Sequence, residues 1–243
     1  MRALYLKEIR SFLGSMIGYI FIVIFLIVTG LFLWIVPYET NLMQGAESDL
    51  IPFFNLAPMI LFILIPAITM RTIAEERRSG TIELLYTRPM TDLSIILAKY
   101  FAGLTLMLIA LLPTLIYYIS MHYLGSPVGI LDDGAAITSY CGLILLGASF
   151  VAVGIFASAI TTSQIIAFIL AMFLCWFLYD GLELLGAFQL LGSFDFIIQF
   201  IGMSFHYEAL KKGVLNTSDV IYFLSIITAF LLAALTLIKS FKR

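Results

Sequence analysis

Residues Glu75 to Leu85, EERRSGTIELL, hold five charges in a chain of which only 12% is charged. Adjacent carboxylates such as Glu75 and Glu76 have the chemistry of an acid–base pair. An intramembrane glutamate protease would want an arginine four positions after the second glutamate, where this chain has Gly80. His122 and His206 fall outside the apolar runs, have no zinc-ligand spacing and no H-E-x-x-H, and read as solvated loop side chains. No lysine sits in G-x-x-x-x-G-K-[ST], so the chain does not hydrolyse ATP by that route. Cys141 and Cys175 lie inside apolar runs and read as small buried hydrophobes rather than a disulfide or metal pair. No enzyme activity, cofactor, metal or nucleic acid is expected.

What EERRSGTIELL can do is dock. Arg71 with Glu75 at i, i+4 and Glu75 with Arg78 at i, i+3 support a helix that Gly80 stops. Thr81 suits an N-cap, Glu83 favours the positive end of a new helix, and Thr87-Arg88-Pro89 ends it. Ile82, Leu85 and Tyr86 then share one face. Glu75, Glu76, Arg77, Arg78, Gly80, Thr81, Ile82, Glu83, Leu85 and Tyr86 make up the candidate docking site. From the residues alone two readings weigh equally: this apolar knob inserts into a partner, or it lies back on the membrane as a turn between two spans.

The elements that carry this loop are membrane helices. Apolar residues are 62% of the 243, and charged residues are half the ~25% of soluble domains. Charge-free runs at 16–36, 51–70, 101–119, 137–160, 165–179 and 220–238 give six spans, the first read as a retained signal anchor. Eleven basic residues, among them Arg2, Lys7, Arg10, Arg77, Arg78, Lys99 and Lys239, fall on one side, and only Lys211 and Lys212 on the other. The positive-inside rule puts both termini and the second loop in the cytoplasm. Leu184 to Phe205 is too apolar for an exposed loop, yet as a seventh span it would bury Asp195 and turn the basic tail outward. Gly186, Gly192 and Gly202 divide it, which favours an external re-entrant hairpin. Before the first span, Leu6, Ile9 and Leu13 share a face, as in an interfacial helix on the membrane surface, although a continuation of span one also fits.

These boundaries leave no ionisable side chain inside a span, which argues against ion-coupled transport. Small-residue stripes, Ala167-Ala171-Cys175 in span five and Gly154-Ser158 in span four, allow close helix approach, most simply for packing within the bundle. Pro58, Pro66 and Pro113 are expected to bend spans two and three.

The whole chain resembles the ABC-2 type permease subunits of ATP-binding cassette transporters. The resemblance rests on LKEIRSFLGSMIGYIF at Leu6 to Phe21 and TMRTIAEERRSGTIELLYTRPMTDLSIILAKYFAGL at Thr69 to Leu104, with Glu76, Gly80, Thr81, Glu83 and Leu85 in an E-x-x-x-G-T-x-E-x-L core. Within the family the overall likeness is to gliding-motility-associated permeases. The resemblance implies an all-α polytopic fold in one transmembrane domain over 1–243, with an N-terminal elbow helix, a cytoplasmic coupling helix at Ile82 to Tyr86 and external re-entrant helices. It also implies a separate ABC ATPase, a second permease subunit, identical or related, and a home among the lipids of the cytoplasmic (inner) membrane. The rivals are a homodimeric exporter of a lipid, drug or glycan unrelated to motility, and a membrane anchor that transports nothing.

Overall fold

A computed structural model describes residues 1–37, 42, 50–81, 91–124, 131–187 and 194–240, and contains no strand among them. The expected coupling helix falls within 82–90, outside the described residues. Helix α1 (Arg2–Leu13) turns at Gly14 and Ser15 into α2 (Met16–Trp34), where the Ser15 hydroxyl accepts from the Gly18 N–H. α3 (Ile51–Thr69) is followed by a short turn and α4 (Ala74–Arg78), with Gly80 left-handed at φ 70° as the helix stop. α5 (Asp92–Leu111), capped by Thr91, passes through a 3-10 turn at Leu112–Thr114 into α6 (Leu115–Leu124). Pro113 therefore interrupts its span, whereas α3 runs through Pro58 and Pro66 without a break.

The rest of the chain comprises α7 (Asp133–Ile160), α8 (Gln164–Trp176), a π-helical turn at Phe177–Gly181, α9 (Leu182–Ala187), α10 (Phe194–Ile201), α11 (Met203–Lys211) and α12 (Thr217–Ser240). Among the described residues, six helical stretches are long and apolar enough to cross a membrane: Met16–Trp34, Ile51–Arg78, Asp92–Leu124, Asp133–Ile160, Gln164–Ala187 and Thr217–Ser240. All six expected spans are present, several longer than their charge-free cores. Between 194 and 211 no described helix exceeds nine residues, about 14 Å at 1.5 Å per residue, too short to cross alone. α9 packs against α10, and Asp195 sits in the first turn of α10 rather than at mid-span.

α7 is the centre of the bundle: 78% of its apolar window is buried, against 28% for α2, for α8–α9 and for α12. Its small residues make this possible. A Cβ on Gly154 would stand 2.1 Å from Thr69 Oγ1 and 2.8 Å from Thr69 Cβ, so α3 approaches α7 at a distance that favours glycine, and one on Gly147 would have to displace the Met107 side chain of α5. Ala167, Ala171 and Cys175 are likewise fully buried in the chain's own interior, which makes their stripe a packing device within the bundle.

α11 closes one end of the bundle. Tyr207 donates to the Phe54 carbonyl of α3 at 2.9 Å, and Ser139 near the start of α7 donates to the Lys211 carbonyl at 2.8 Å, satisfying a helix-end acceptor. α1 packs along α5 through Leu4, Ile95 and Ala98, with Tyr5 and Thr105 hydrogen-bonded at 2.9 Å. Leu6 turns outward and is 40% exposed. Of the face read as apolar, Leu6 is exposed, Ile9 is half-buried and Leu13 packs against the main core.

Candidate functional site

The short polar segment after α3 is held by three neighbouring helices. The turn between α3 and α4 exposes backbone N–H groups that no helix satisfies. Ser158 of α7 fills that role: its hydroxyl accepts from Ile73 N and Ala74 N, each at 3.0 Å, and donates to the Met70 carbonyl at 3.0 Å. Arg77 Nη1 donates to the Ala159 carbonyl at 2.8 Å. The Gly154-Ser158 stripe therefore does more than permit close packing, because it terminates span two.

On the other side lies Lys99, two turns into α5 and with its side chain only 1% exposed. Its ammonium has three donors and finds three acceptors: Glu76 Oε2 at 2.9 Å, Glu8 Oε1 at 3.2 Å and the Thr72 carbonyl at 2.6 Å. Lys7 stands 3.6 Å from Glu76 and 3.8 Å from Glu8, so two cations face two carboxylates. One buried side chain thereby ties α1, the α3–α4 turn and α5 into a single unit. A buried ammonium without these partners would be too costly to keep charged.

The charge-free runs 101–119 and 220–238 hold no ionisable group, but the helices that contain them extend past charged residues. Lys99 lies inside the stretch Asp92–Leu124, and Asp219, 5% exposed, lies in the first turn of α12. Both are tolerated because each meets a partner from another helix.

The candidate residues divide into two sets. Glu75 pairs with Arg71 at 2.9 Å as expected, and that contact rather than one to Arg78 engages it. Glu76 faces inward to Lys99, and Arg77 is directed at α7. Arg78, Gly80 and Thr81 are exposed, with Thr81 and Ser79 hydroxyls 2.8 Å apart. Ile82, Glu83, Leu85 and Tyr86 lie outside the described residues. Spacing alone missed Glu8 and Lys99, since their contact spans 91 positions.

A second buried polar pair joins the short helices to α12. His206 is 3% exposed, not a solvated loop residue, and its Nδ1 is 2.7 Å from Asp219 Oδ1. The ring stacks on Tyr222 with centroids 3.9 Å apart, and Tyr222 donates to the Ile201 carbonyl. His206 Nε2 lies 3.0 Å from the Phe200 carbonyl, which can only accept, so Nε2 carries a proton. The Nδ1–Oδ1 contact then needs a proton of its own, from the ring or from the carboxyl.

Residues 2–242 match the family described as ABC-2 family transporter protein. No curated protein is similar enough to count as a match.

Proposed function

Because the chain belongs to the ABC-2 transporter family, we propose that it is the permease subunit of an ATP-binding cassette transporter, driven by a separate ATPase that docks on the loop between spans two and three. The observation that supports this reading is the Lys99 clasp. The residues on either side of the loop, α4 and the start of α5, are joined to each other and to α1 by one buried ammonium. Force applied to such a loop reaches three helices together instead of bending one.

α7 would carry the displacement onward. Ser158 grips the α3–α4 turn at one end and Ser139 grips the end of α11 at the other, 19 residues away in the sequence, about 28 Å along a helix. In this mechanism closure of the ATPases moves α4 and α5, α7 transmits the movement as a strut, and the α10–α11 cap responds. No step requires a titrating group of this chain, and the energy comes from the ATPase.

Two such membrane subunits, identical or related, would pair in the cytoplasmic membrane with both termini inside. Overall sequence likeness to gliding-motility-associated permeases supports a place in that machinery, with a second, different permease as the partner. Replacing Ile82 and Leu85 together with Asp should abolish co-purification of the ATPase while membrane insertion persists; unchanged co-purification would remove the docking site from this loop. Identification of every subunit retained by the unmodified chain separates motility machinery from a homodimeric exporter, which would hold only this chain and an ATPase. For orientation, an alkaline phosphatase fusion at Gly134 should be active and one at Ser79 inactive, and the reverse pattern would invert the topology.

A further inference from the structure

Between α1 and the α3–α4 segment lies a cavity of about 330 Å³, at the small end of volumes that hold small ligands. Phe12, Ile17 and Ile68 give its lining apolar surface, and Lys7, Arg71 and Glu75 give it charge. Ile17 belongs to the first turn of α2, where Met16 and Tyr19 are 78% and 59% exposed on a surface suited to lipid.

The cations of the lining have donors to offer. Lys7 Nζ stands 3.6 Å and 3.8 Å from its carboxylate neighbours, too far for hydrogen bonds, and its side chain is 63% exposed. Arg71 uses Nε and Nη2 on Glu75, which leaves three of its five N–H groups without a partner among the described residues. Two cations with available donors in one lining are the chemistry of a phosphate oxygen site.

The negative charges select among phosphate-bearing groups. Glu8 and Glu76 also line the cavity, so the three carboxylates Glu8, Glu75 and Glu76 face the three cations Lys7, Arg71 and Lys99 and the charges around it balance. A group with a single negative charge would set its charge against Glu75, whereas a zwitterion matches both signs. An ammonium donates hydrogen bonds to a carboxylate, while a trimethylammonium would want an aromatic cage, and among the described residues Phe12 is the only aromatic side chain in the lining.

We propose that this cavity binds a phosphoethanolamine group, its phosphate on Lys7 and Arg71 and its ammonium on Glu75. The apolar lining residue Ile17, beside the exposed Met16 and Tyr19 of α2, favours a membrane phospholipid as the source over a soluble phosphodiester. The inference rests on α1 lying at the membrane boundary; its readout, lipid retained by the chain alone, needs no ATPase, although Glu75, Glu76 and Thr81 are shared with the candidate docking site.

The test uses the purified full-length chain in phosphatidylcholine nanodiscs doped with phosphatidylethanolamine or phosphatidylglycerol, with retained lipid counted by native mass spectrometry. Phosphatidylethanolamine should be retained at least about tenfold over the other two, an amount within reach of two charge-assisted contacts. K7Q combined with R71Q should reduce it to the phosphatidylcholine level, and E75Q should shift preference toward phosphatidylglycerol. Lys7 is mostly exposed, so K7Q alone, with a smaller loss, covers the case in which the double variant fails to fold. Competition by glycerophosphoethanolamine at equal potency would assign the same site to a soluble headgroup. Equal retention of all three lipids, or a preference that survives K7Q/R71Q in folded protein, would overturn the proposal.

Discussion

Replacing Lys99 with methionine is expected to lower the stability of the full-length chain in detergent by about 3–5 kcal/mol, the usual cost of removing one partner from a buried ionic group. Glu8 and Glu76 would be left facing each other, 10% and 13% exposed, with the Thr72 carbonyl also unpartnered. Lys7 is already within 3.8 Å of both carboxylates and can move in, which places the loss toward the lower end. K99R should also be costly: a planar fork with five donors must enter a site shaped for three acceptors around a point charge. The triple variant K99M/E8Q/E76Q removes every buried charge together and should recover most of the thermal stability. It separates two roles for the clasp. If Lys99 transmits force from the loop, the triple variant will be stable yet will consume ATP in the assembly without the matching transport. A triple variant that is both stable and fully coupled would reduce the clasp to a structural feature.

The sequence made the spans legible because hydrocarbon tolerates only long apolar helices, and each of the six runs became one. Their ends were less legible, for a physical reason. The charge-free runs mark only the apolar cores; the helices run past charge, α5 from Asp92 and α12 from Thr217, with Lys99 and Asp219 each paired to residues outside their own helix. Local spacing does find local pairs, as with Arg71 and Glu75, the Thr91 cap, the Gly80 stop and the turn at Pro113. It cannot find Lys99 with Glu8 or Ser158 with Ile73, whose contacts exist only once three helices have packed. The same blindness made His206 look like a solvated side chain. Half of the candidate docking residues, Glu75, Glu76, Arg77, Arg78 and Gly80, proved to end span two, with Glu76 and Arg77 directed into the bundle.

His206→Ala should release the α10–α11 cap from α12. Asp219 is 5% exposed, and its Oδ2 already lacks a hydrogen-bond partner among the described residues. Losing His206 Nδ1 would strand the other oxygen as well and remove the ring that stacks on Tyr222, a combined cost of about 3–5 kcal/mol. Asp219→Asn should behave differently. An asparagine amide N–H can donate to Nδ1 while Nε2–H still donates to the Phe200 carbonyl, so both contacts survive in a neutral pair, and the change should cost about 1 kcal/mol or less. Asp219→Leu keeps the bulk but offers no polar atom to Nδ1 and should resemble His206→Ala. Hydrogen exchange over 194–211 in the full-length protein reads the difference directly: slow in the unmodified chain and in D219N, fast in H206A and D219L. Fast exchange in D219N would show that the contact requires a carboxylate and hence an ion pair. Slow exchange in H206A would show that Tyr207 and Ser139, the two anchors of α11 on α3 and α7, hold the cap without it.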